Sequence, residues 1–153
     1  MDAGEGSRAG VRFGVLSGRM GFHLRLAHVA LHRDFLAAVA EFNLTQQQYA
    51  VLELIDANPG AFQVELAAAL HMDRATMMAL IDKLEARDLV RRTQSRLDRR
   101  RLDLHLTEAG SSLLGLARKA IAAHEARLFA DWSVQDRESL ESLLKRLYVA
   151  RSD

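Results

Sequence analysis

The chain has 153 residues, of which 49% are apolar and 27% charged, a balance that indicates one globular domain and excludes a disordered chain. It contains no cysteine, which excludes disulfides, cysteine-ligated zinc and thiol-based redox sensing. No apolar run is as long as a membrane span and no signal peptide is apparent, so we expect a cytoplasmic protein.

The formal net charge is only +1, but the charge is unevenly distributed along the chain. Residues 71–101 contain nine Lys or Arg and five Asp or Glu, whereas the rest of the chain carries 12 basic and 15 acidic residues. Positive charge focused in this way is typical of a surface that binds a polyanion such as nucleic acid.

The N-terminal part of the chain predicts an arm followed by a long helix. Residues 1–14 are rich in Gly, Ser and Arg and predict a flexible arm ahead of a single domain over 15–153. Apolar residues recur at helical spacing from about Leu16 to Phe42, which predicts a helix of about 26 residues, roughly 40 Å long. So long a helix is difficult to bury in a small domain, so we expect part of its face to meet another chain.

Two shorter helices follow. Thr45 and Gln48 match a T-x-x-Q capping box that begins the second helix, and Asn58-Pro59-Gly60 ends it. The Leu and Ala pattern predicts a third helix over about Gln63–Leu70.

Three more helices complete the chain. Asp73 is predicted to cap a fourth helix that runs to about Arg87, and its inward stripe would be Met77, Leu80, Ile81 and Leu84. Thr107 and Ser133 are predicted to cap the fifth and sixth helices, which extend to about residue 150.

Residues 90–106 predict a β-hairpin with an arginine-rich tip. Six arginines lie within 91–101, where Asp98 is the only acid. Beyond them Leu102, Leu104 and Leu106 alternate with polar residues, the period of a strand. A tip with this charge is expected at the surface, and arginine contacts to phosphate supply much of the affinity for nucleic acid.

A helix pair followed at once by a hairpin predicts a winged helix-turn-helix over about 45–106 in a mainly α fold with a small β-hairpin wing. In this motif the second helix of the pair enters the DNA major groove and the wing flanks it. Met78 could belong either to the outer face of the fourth helix or to the core. The candidate DNA contacts lie on that outer face and on the wing: Arg74, Ala75, Thr76, Met78, Ala79, Lys83, Arg96, Asp98, Arg99 and Arg100.

The segment LAAALHMDRATMMALIDKLEARDLVRRTQSRLDRRRLDLHLTEAG resembles the DNA-binding core of MarR-type transcriptional regulators. The matching motifs are L-A-x-x-L, T-x-x-x-x-x-D-K-L-E, D-L-V, the D-x-R of the wing (Asp98 and Arg100) and L-T-x-x-G. The resemblance extends over residues 16–150. It departs at Asp88, where Gly is commoner, although Asp tolerates the left-handed backbone that a helix end often requires.

The resemblance implies a homodimer formed by helices at about 16–42 and 107–150, which places two winged helices on a pseudo-palindromic operator in double-stranded DNA. It also implies a repressor that a small molecule releases, and a wing in which Asp98 pairs with Arg100 or a helix residue. Asp98 could instead be a plain turn residue. We expect no cofactor, and no residue spacing suggests an enzyme. A winged-helix module that binds protein or RNA without ligand control remains the alternative.

Family ligands usually lie between the dimerisation helices and the winged domain, so polar residues of the first helix are candidate ligand contacts. They could neutralise an aromatic acid or the phosphates of its coenzyme A thioester, and G-R-M-G-F-H-L-R-L-A-H is similar to the subgroup that responds to such compounds. Taken singly, each is better explained as a surface or dimer-interface residue. His28 and His32 lie four residues apart, but further ligands at a recognisable spacing are missing, so no metal site is predicted. The candidates are Arg19, His23, Arg25, His28 and His32.

Overall fold

A computed structural model describes residues 7–8, 10–95 and 98–149. Within these ranges the fold is mainly helical, with two small antiparallel sheets, and no helix there is long and apolar enough to cross a bilayer. The elements in chain order are β1 (Ser7–Arg8), β2 (Val11–Arg12), α1 (Met20–Ala38), α2 (Gln46–Ala57), α3 (Gln63–Ala69), α4 (Arg74–Ala86), β3 (Val90–Gln94), β4 (Leu102–Leu106), α5 (Glu108–Leu128) and α6 (Val134–Val149).

The first helix is shorter than predicted. A 3₁₀ helix over Gly14–Gly18 comes first, and Arg19 is extended, so that α1 begins only at Met20. At its other end α1 gives way to a second 3₁₀ helix, Ala40–Phe42, which Asn43 ends in the left-handed conformation with φ 49°. At 19 residues, α1 spans about 28 Å. The error arose because 3₁₀ turns also align apolar residues three apart on one face.

The segment predicted to be an arm contains β1 and β2, which pair through Ser7 with Arg12 and Arg8 with Val11. Residues 1–6 and 9 lie outside the described residues. The Phe13 ring packs edge-on against Phe22 of α1, with 5.0 Å between ring centroids. Aromatic contact therefore connects the residue after β2 to the first turn of α1.

The four predicted N-cap residues are confirmed. Thr45 and Gln48 form the reciprocal capping box, with the Thr45 hydroxyl accepting from the Gln48 N–H at 3.1 Å and the Gln48 side chain accepting from the Thr45 N–H at 3.0 Å. At the other three predicted caps a side-chain oxygen likewise accepts from the backbone N–H three residues later, at Asp73, Thr107 and Ser133. These caps satisfy N–H groups that have no partner within the helix.

The core lies beneath the helix pair and the wing. The predicted inward stripe of α4 is confirmed, since all four of its residues are buried. No described residue of α6 is buried. Apart from that stripe, the largest fully buried side chains come from the α1–α2 region, both wing strands and α5: Val39, Val51, Leu52, Ile55, Val90, Leu104 and Leu114.

The wing has a third backbone partner that precedes α3. β3 and β4 pair from Val90 with Leu106 to Gln94 with Leu102. On the other side of β4, Leu104 donates its N–H to the Ala61 carbonyl at 3.1 Å and accepts from the Gly60 N–H at 2.9 Å. The segment that leads into α3 is therefore hydrogen-bonded to the wing.

The turn between α4 and β3 is held against the start of α5. The Thr107 hydroxyl donates to the Asp88 carbonyl at 2.5 Å, and the Thr107 N–H donates to the Leu89 carbonyl at 3.1 Å. Asp88 adopts the left-handed conformation with φ 55°, as anticipated for a residue in the place of Gly. The cap of α5 is therefore also the anchor of this turn.

Candidate nucleic-acid interface

The outer face of α4 is open to solvent. Met78 is 50% exposed, which places it on this face and not in the core. Small side chains on such a face allow the helix to approach base edges closely, and basic ones can contact guanine or phosphate. The predicted contacts on this helix are all exposed: Arg74, Ala75, Thr76, Met78, Ala79 and Lys83.

Asp73 determines what Thr76 can offer. One Asp73 carboxylate oxygen accepts from the Thr76 N–H at 2.9 Å and the other from the Thr76 hydroxyl at 2.6 Å. The hydrogen bond from the Thr76 side chain, followed by that from its backbone, lowers the pKa of Asp73. Since its hydroxyl proton is engaged, Thr76 presents its methyl group and oxygen lone pairs to the surface, which favours contact with a thymine methyl over donation to phosphate.

Asp98 braces the wing tip through two neighbouring arginines. Its carboxylate accepts from the Arg100 backbone N–H at 2.9 Å and lies 3.7 Å from the Arg101 guanidinium nitrogen Nε. Asp98 therefore does pair with Arg100, but through the Arg100 backbone and not its guanidinium, and among the described residues its charged partner is Arg101. The side chains of Arg99 and Arg100 are exposed, and Arg96 lies outside the described residues.

Two residues that the sequence did not single out support the tip. The Arg101 guanidinium stacks over the Phe62 ring, 4.4 Å from its centroid. The Gln94 side chain donates to the Arg99 carbonyl at 3.0 Å. These contacts hold the described backbone on either side of Arg99 and Arg100, so contact of these two side chains with a phosphate would require little ordering of that backbone.

Arg92 belongs to the fold and not to the exposed arginine tip. Its guanidinium bonds Glu85 and lies 2.5 Å from an Asp82 carboxylate oxygen, and its side chain is only 19% exposed. Its backbone N–H also donates to Glu85 at 3.2 Å. Arg92 therefore fixes the base of the wing to the side of α4.

Comparison with known proteins identifies the family of the chain. A sequence profile of the MarR family matches residues 42–101. The chain is 35% identical to a putative transcriptional regulatory protein for the hcr operon of Thauera aromatica, over 92% of this chain and 85% of that protein. It is also similar to the transcriptional repressor CouR bound to a 23-mer DNA duplex, with 40% identity, a TM-score of 0.86, and coverage of 90% of this chain and 97% of that one. The chain belongs to the MarR family of transcriptional regulators.

The solved relatives include a ligand complex. CouR bound to p-coumaroyl-CoA is 38% identical to this MarR-family chain, with a TM-score of 0.84. The alignment covers 94% of this chain and 99% of the CouR chain. The relatives of this chain are transcriptional regulators and not enzymes. The predicted family and the predicted winged-helix fold are therefore confirmed.

The candidate ligand residues of this MarR-family chain are only partly brought together. The His28 and His32 rings stack with 5.8 Å between centroids, and His32 Nδ1 lies 3.1 Å from the Gln46 side-chain oxygen at the start of α2. His23 Nε2 instead lies 2.7 Å from the Ser17 carbonyl oxygen, while Arg19 and Arg25 are exposed. No group of three or more metal-binding side chains occurs in the described ranges.

A polar network beside α1 was not anticipated from the sequence. The guanidinium of Arg118 on α5 donates to both carboxylate oxygens of Glu53 and, at 2.7 Å, to one carboxylate oxygen of Asp56, both on α2. The hydrogen bond from Arg118 lowers the pKa of Glu53, and burial followed by the hydrogen bond to Glu53 raises the pKa of Tyr49. The Tyr49 ring also meets Phe35 of α1, with 5.8 Å between ring centroids. This network therefore joins α1, α2 and α5.

Proposed function

We propose that this MarR-family regulator is a homodimeric, sequence-specific repressor that leaves its operator when it binds an aromatic acid or an aromatic acyl-CoA. The observation that carries the proposal is the exposed outer face of α4 beside the braced arginine loop of the wing. A helix with small and basic residues fits the major groove, and arginine on a wing fits the phosphates or the minor groove.

The homodimer is inferred from apolar surface that one chain leaves uncovered. No described residue of α6 is buried, although a helix in a protein takes most of its stability from packing of its apolar face. Large exposed apolar patches mark interaction surfaces, and a symmetric pair would place two α4 helices on a pseudo-palindrome. The exposed apolar residues of α1, α5, α6 and the loop before α6 include Met20, Val29, Leu31, Leu36, Leu116, Leu128, Trp132, Leu143, Leu147 and Tyr148.

The ligand class is inferred from the relatives and from the chemistry of α1. CouR, which is 38% identical to this chain, has been solved with p-coumaroyl-CoA. Arg19 and Arg25 offer exposed guanidinium groups, which suit the phosphates of coenzyme A or a carboxylate. His28 and His32 are stacked on α1, and His32 contacts Gln46 at the start of α2, which suits a ligand held between α1 and the winged domain.

Binding to DNA and release by a ligand test the proposal together. Duplexes would be enriched from a random pool with the purified protein, and affinity measured by fluorescence anisotropy at several salt concentrations. We expect a two-fold-symmetric consensus, affinity that falls steeply with salt, and weaker binding when p-coumaroyl-CoA is added but not when coenzyme A alone is added. Recovery of no consensus would reject sequence-specific repression. A monomer by analytical ultracentrifugation would reject the homodimer.

A further inference from the structure

Arg87 is the C-cap residue of α4, and its side chain reaches across to the end of the α1 region. The guanidinium donates to the Asn43 carbonyl at 2.7 Å and to the Phe42 carbonyl at 2.8 Å. We propose that Arg87 is a positioning residue that transmits a displacement of α1 to α4, the helix that faces DNA. The inference rests on the proposed function, because it concerns how a ligand near α1 would change DNA binding.

An arginine is suited to this place. Its planar guanidinium carries donors in a fixed fork, so it can hold two neighbouring carbonyls at once, which a single ammonium cannot do with the same geometry. Phe42 ends the 3₁₀ helix, and Asn43 follows in the left-handed conformation. Carbonyl groups at a helix end carry partial negative charge and favour a cation. The contact therefore ties α4 to one orientation of these carbonyls.

The bonded carbonyls move with α1. Val39, which is fully buried, donates its N–H to the Phe35 carbonyl at 3.1 Å, and the Phe42 N–H donates to the Val39 carbonyl at 3.0 Å. Hydrogen bonds therefore continue from the last turn of α1 through the 3₁₀ helix to the acceptors of Arg87. A shift or rotation of α1 would displace both acceptors together.

The residues after Arg87 are held from the opposite side. Asp88 and Leu89 accept hydrogen bonds from Thr107 at the start of α5. The end of α4 thus lies between the end of the α1 region and the start of α5. If a ligand changes the position of α1 relative to α5, these two attachments pull the end of α4 in different directions, and its orientation on DNA must change.

The test compares Arg87→Gln and Arg87→Lys with the control Arg137→Gln. Arg137 has the same chemistry, because its guanidinium donates to the Phe129 and Trp132 carbonyls, but it lies in α6 away from α4. The readout is the ratio of DNA dissociation constants with and without p-coumaroyl-CoA. Allosteric coupling is typically about 5–150-fold, so we expect about tenfold or more in wild type and Arg137→Gln, and about twofold or less in Arg87→Gln.

Arg87→Lys keeps the charge but loses the forked guanidinium, so its ratio of dissociation constants should fall between those of wild type and Arg87→Gln. The affinity of the free protein for p-coumaroyl-CoA should be unchanged in Arg87→Gln. A merely structural role would lower the melting temperature and the active fraction but leave the ratio at its wild-type value, and that result would overturn the proposal.

Hydrogen–deuterium exchange supplies a measurement that needs no ligand. DNA should slow exchange in peptides covering residues 39–44 of wild type and Arg137→Gln. In Arg87→Gln that protection should disappear while α4 remains protected. Protection at 39–44 that persists in Arg87→Gln, or is missing in wild type, overturns the role of Arg87. A wild type that binds DNA without responding to p-coumaroyl-CoA rejects the proposed ligand alone, and the exchange result then decides on Arg87.

Discussion

Gly110 of α5 lies against the backbone of Leu89, so closely that a β-carbon at position 110 would be 2.0 Å from the Leu89 carbonyl oxygen. The same oxygen accepts the N–H of Thr107, so this turn cannot retreat without losing a hydrogen bond. Glycine is therefore what allows the start of α5 to touch the turn between α4 and the wing. The close approach gives a physical reason for the glycine of the L-T-x-x-G motif.

Gly110→Ala should destabilise the fold by about 2 kcal/mol or more, because the added methyl group meets backbone and not a flexible side chain. Chemical denaturation monitored by circular dichroism measures the change. Gly115→Ala is the matched control in the same helix, since a β-carbon there meets nothing within 4 Å. Equal stability of the two variants would contradict the close packing.

Arg100→Ala should weaken DNA binding across sequences and reduce the slope of log affinity against log salt by about one unit, as loss of one phosphate contact requires. The side chain is exposed and Asp98 holds only its backbone, so the melting temperature should not change. Arg33→Ala, an exposed arginine of α1, serves as the control. An unchanged salt slope would place Arg100 away from the phosphates.

Arg92→Ala should behave differently from Arg100→Ala. It removes the bonds to Glu85 and Asp82 and leaves two carboxylates beside each other, so unfolding should become easier by about 1–2 kcal/mol. Its salt slope for DNA binding should match wild type, since the guanidinium already faces α4. A stable variant with a reduced slope would instead make Arg92 a phosphate contact.

Thr76 can be tested by separating its two groups. Thr76→Val keeps the methyl group, and Thr76→Ser keeps the hydroxyl that donates to Asp73. If the methyl touches a thymine, Val should retain the preference for that base pair and Ser should lose roughly 1 kcal/mol of it. Affinities for duplexes that differ at single positions provide the measurement. The opposite order would assign the contact to the hydroxyl.

Asp73 predicts a pH dependence at the start of α4. Its pKa is lowered by the side-chain and then the backbone hydrogen bond of Thr76, so the charged form is favoured in the folded state. The stabilisation is present above the ordinary carboxyl pKa and is lost as pH falls through the lowered folded value. The difference in melting temperature between wild type and Asp73→Ala should therefore be full at pH 7 and shrink in acid. A difference independent of pH would contradict this origin.

The sequence predicted those parts of the fold that depend on neighbouring residues. The Thr45–Gln48 capping box and the cap at Asp73 join residues three apart, and the α4 stripe follows from one helical period. The exposed face of α4 follows from the same period. Such features are visible in a single sequence because the chain itself fixes the distance between the partners.

Features that depend on tertiary contact were not predictable. The Arg101 guanidinium stacks on Phe62, and Arg87 donates to the Phe42 carbonyl. The partners in each contact are about 40 positions apart in the chain, so no local sequence pattern predicts them. Charge alone could not show that Arg92 faces α4 while Arg100 faces solvent, because both lie in one arginine-rich stretch. Identical side chains took different roles once the hairpin packed against the helices.

The backbone hydrogen bonds between β4 and residues Gly60 and Ala61 limit how the wing can be exchanged between related regulators. A wing grafted as residues 90–106 alone would leave its outer strand opposite a foreign segment before α3, and Arg101 without the Phe62 ring. The structural unit of the wing is therefore discontinuous, since it joins the hairpin to residues 60–62. A chimaera that exchanges the wing between family members would have to carry both segments to keep these contacts.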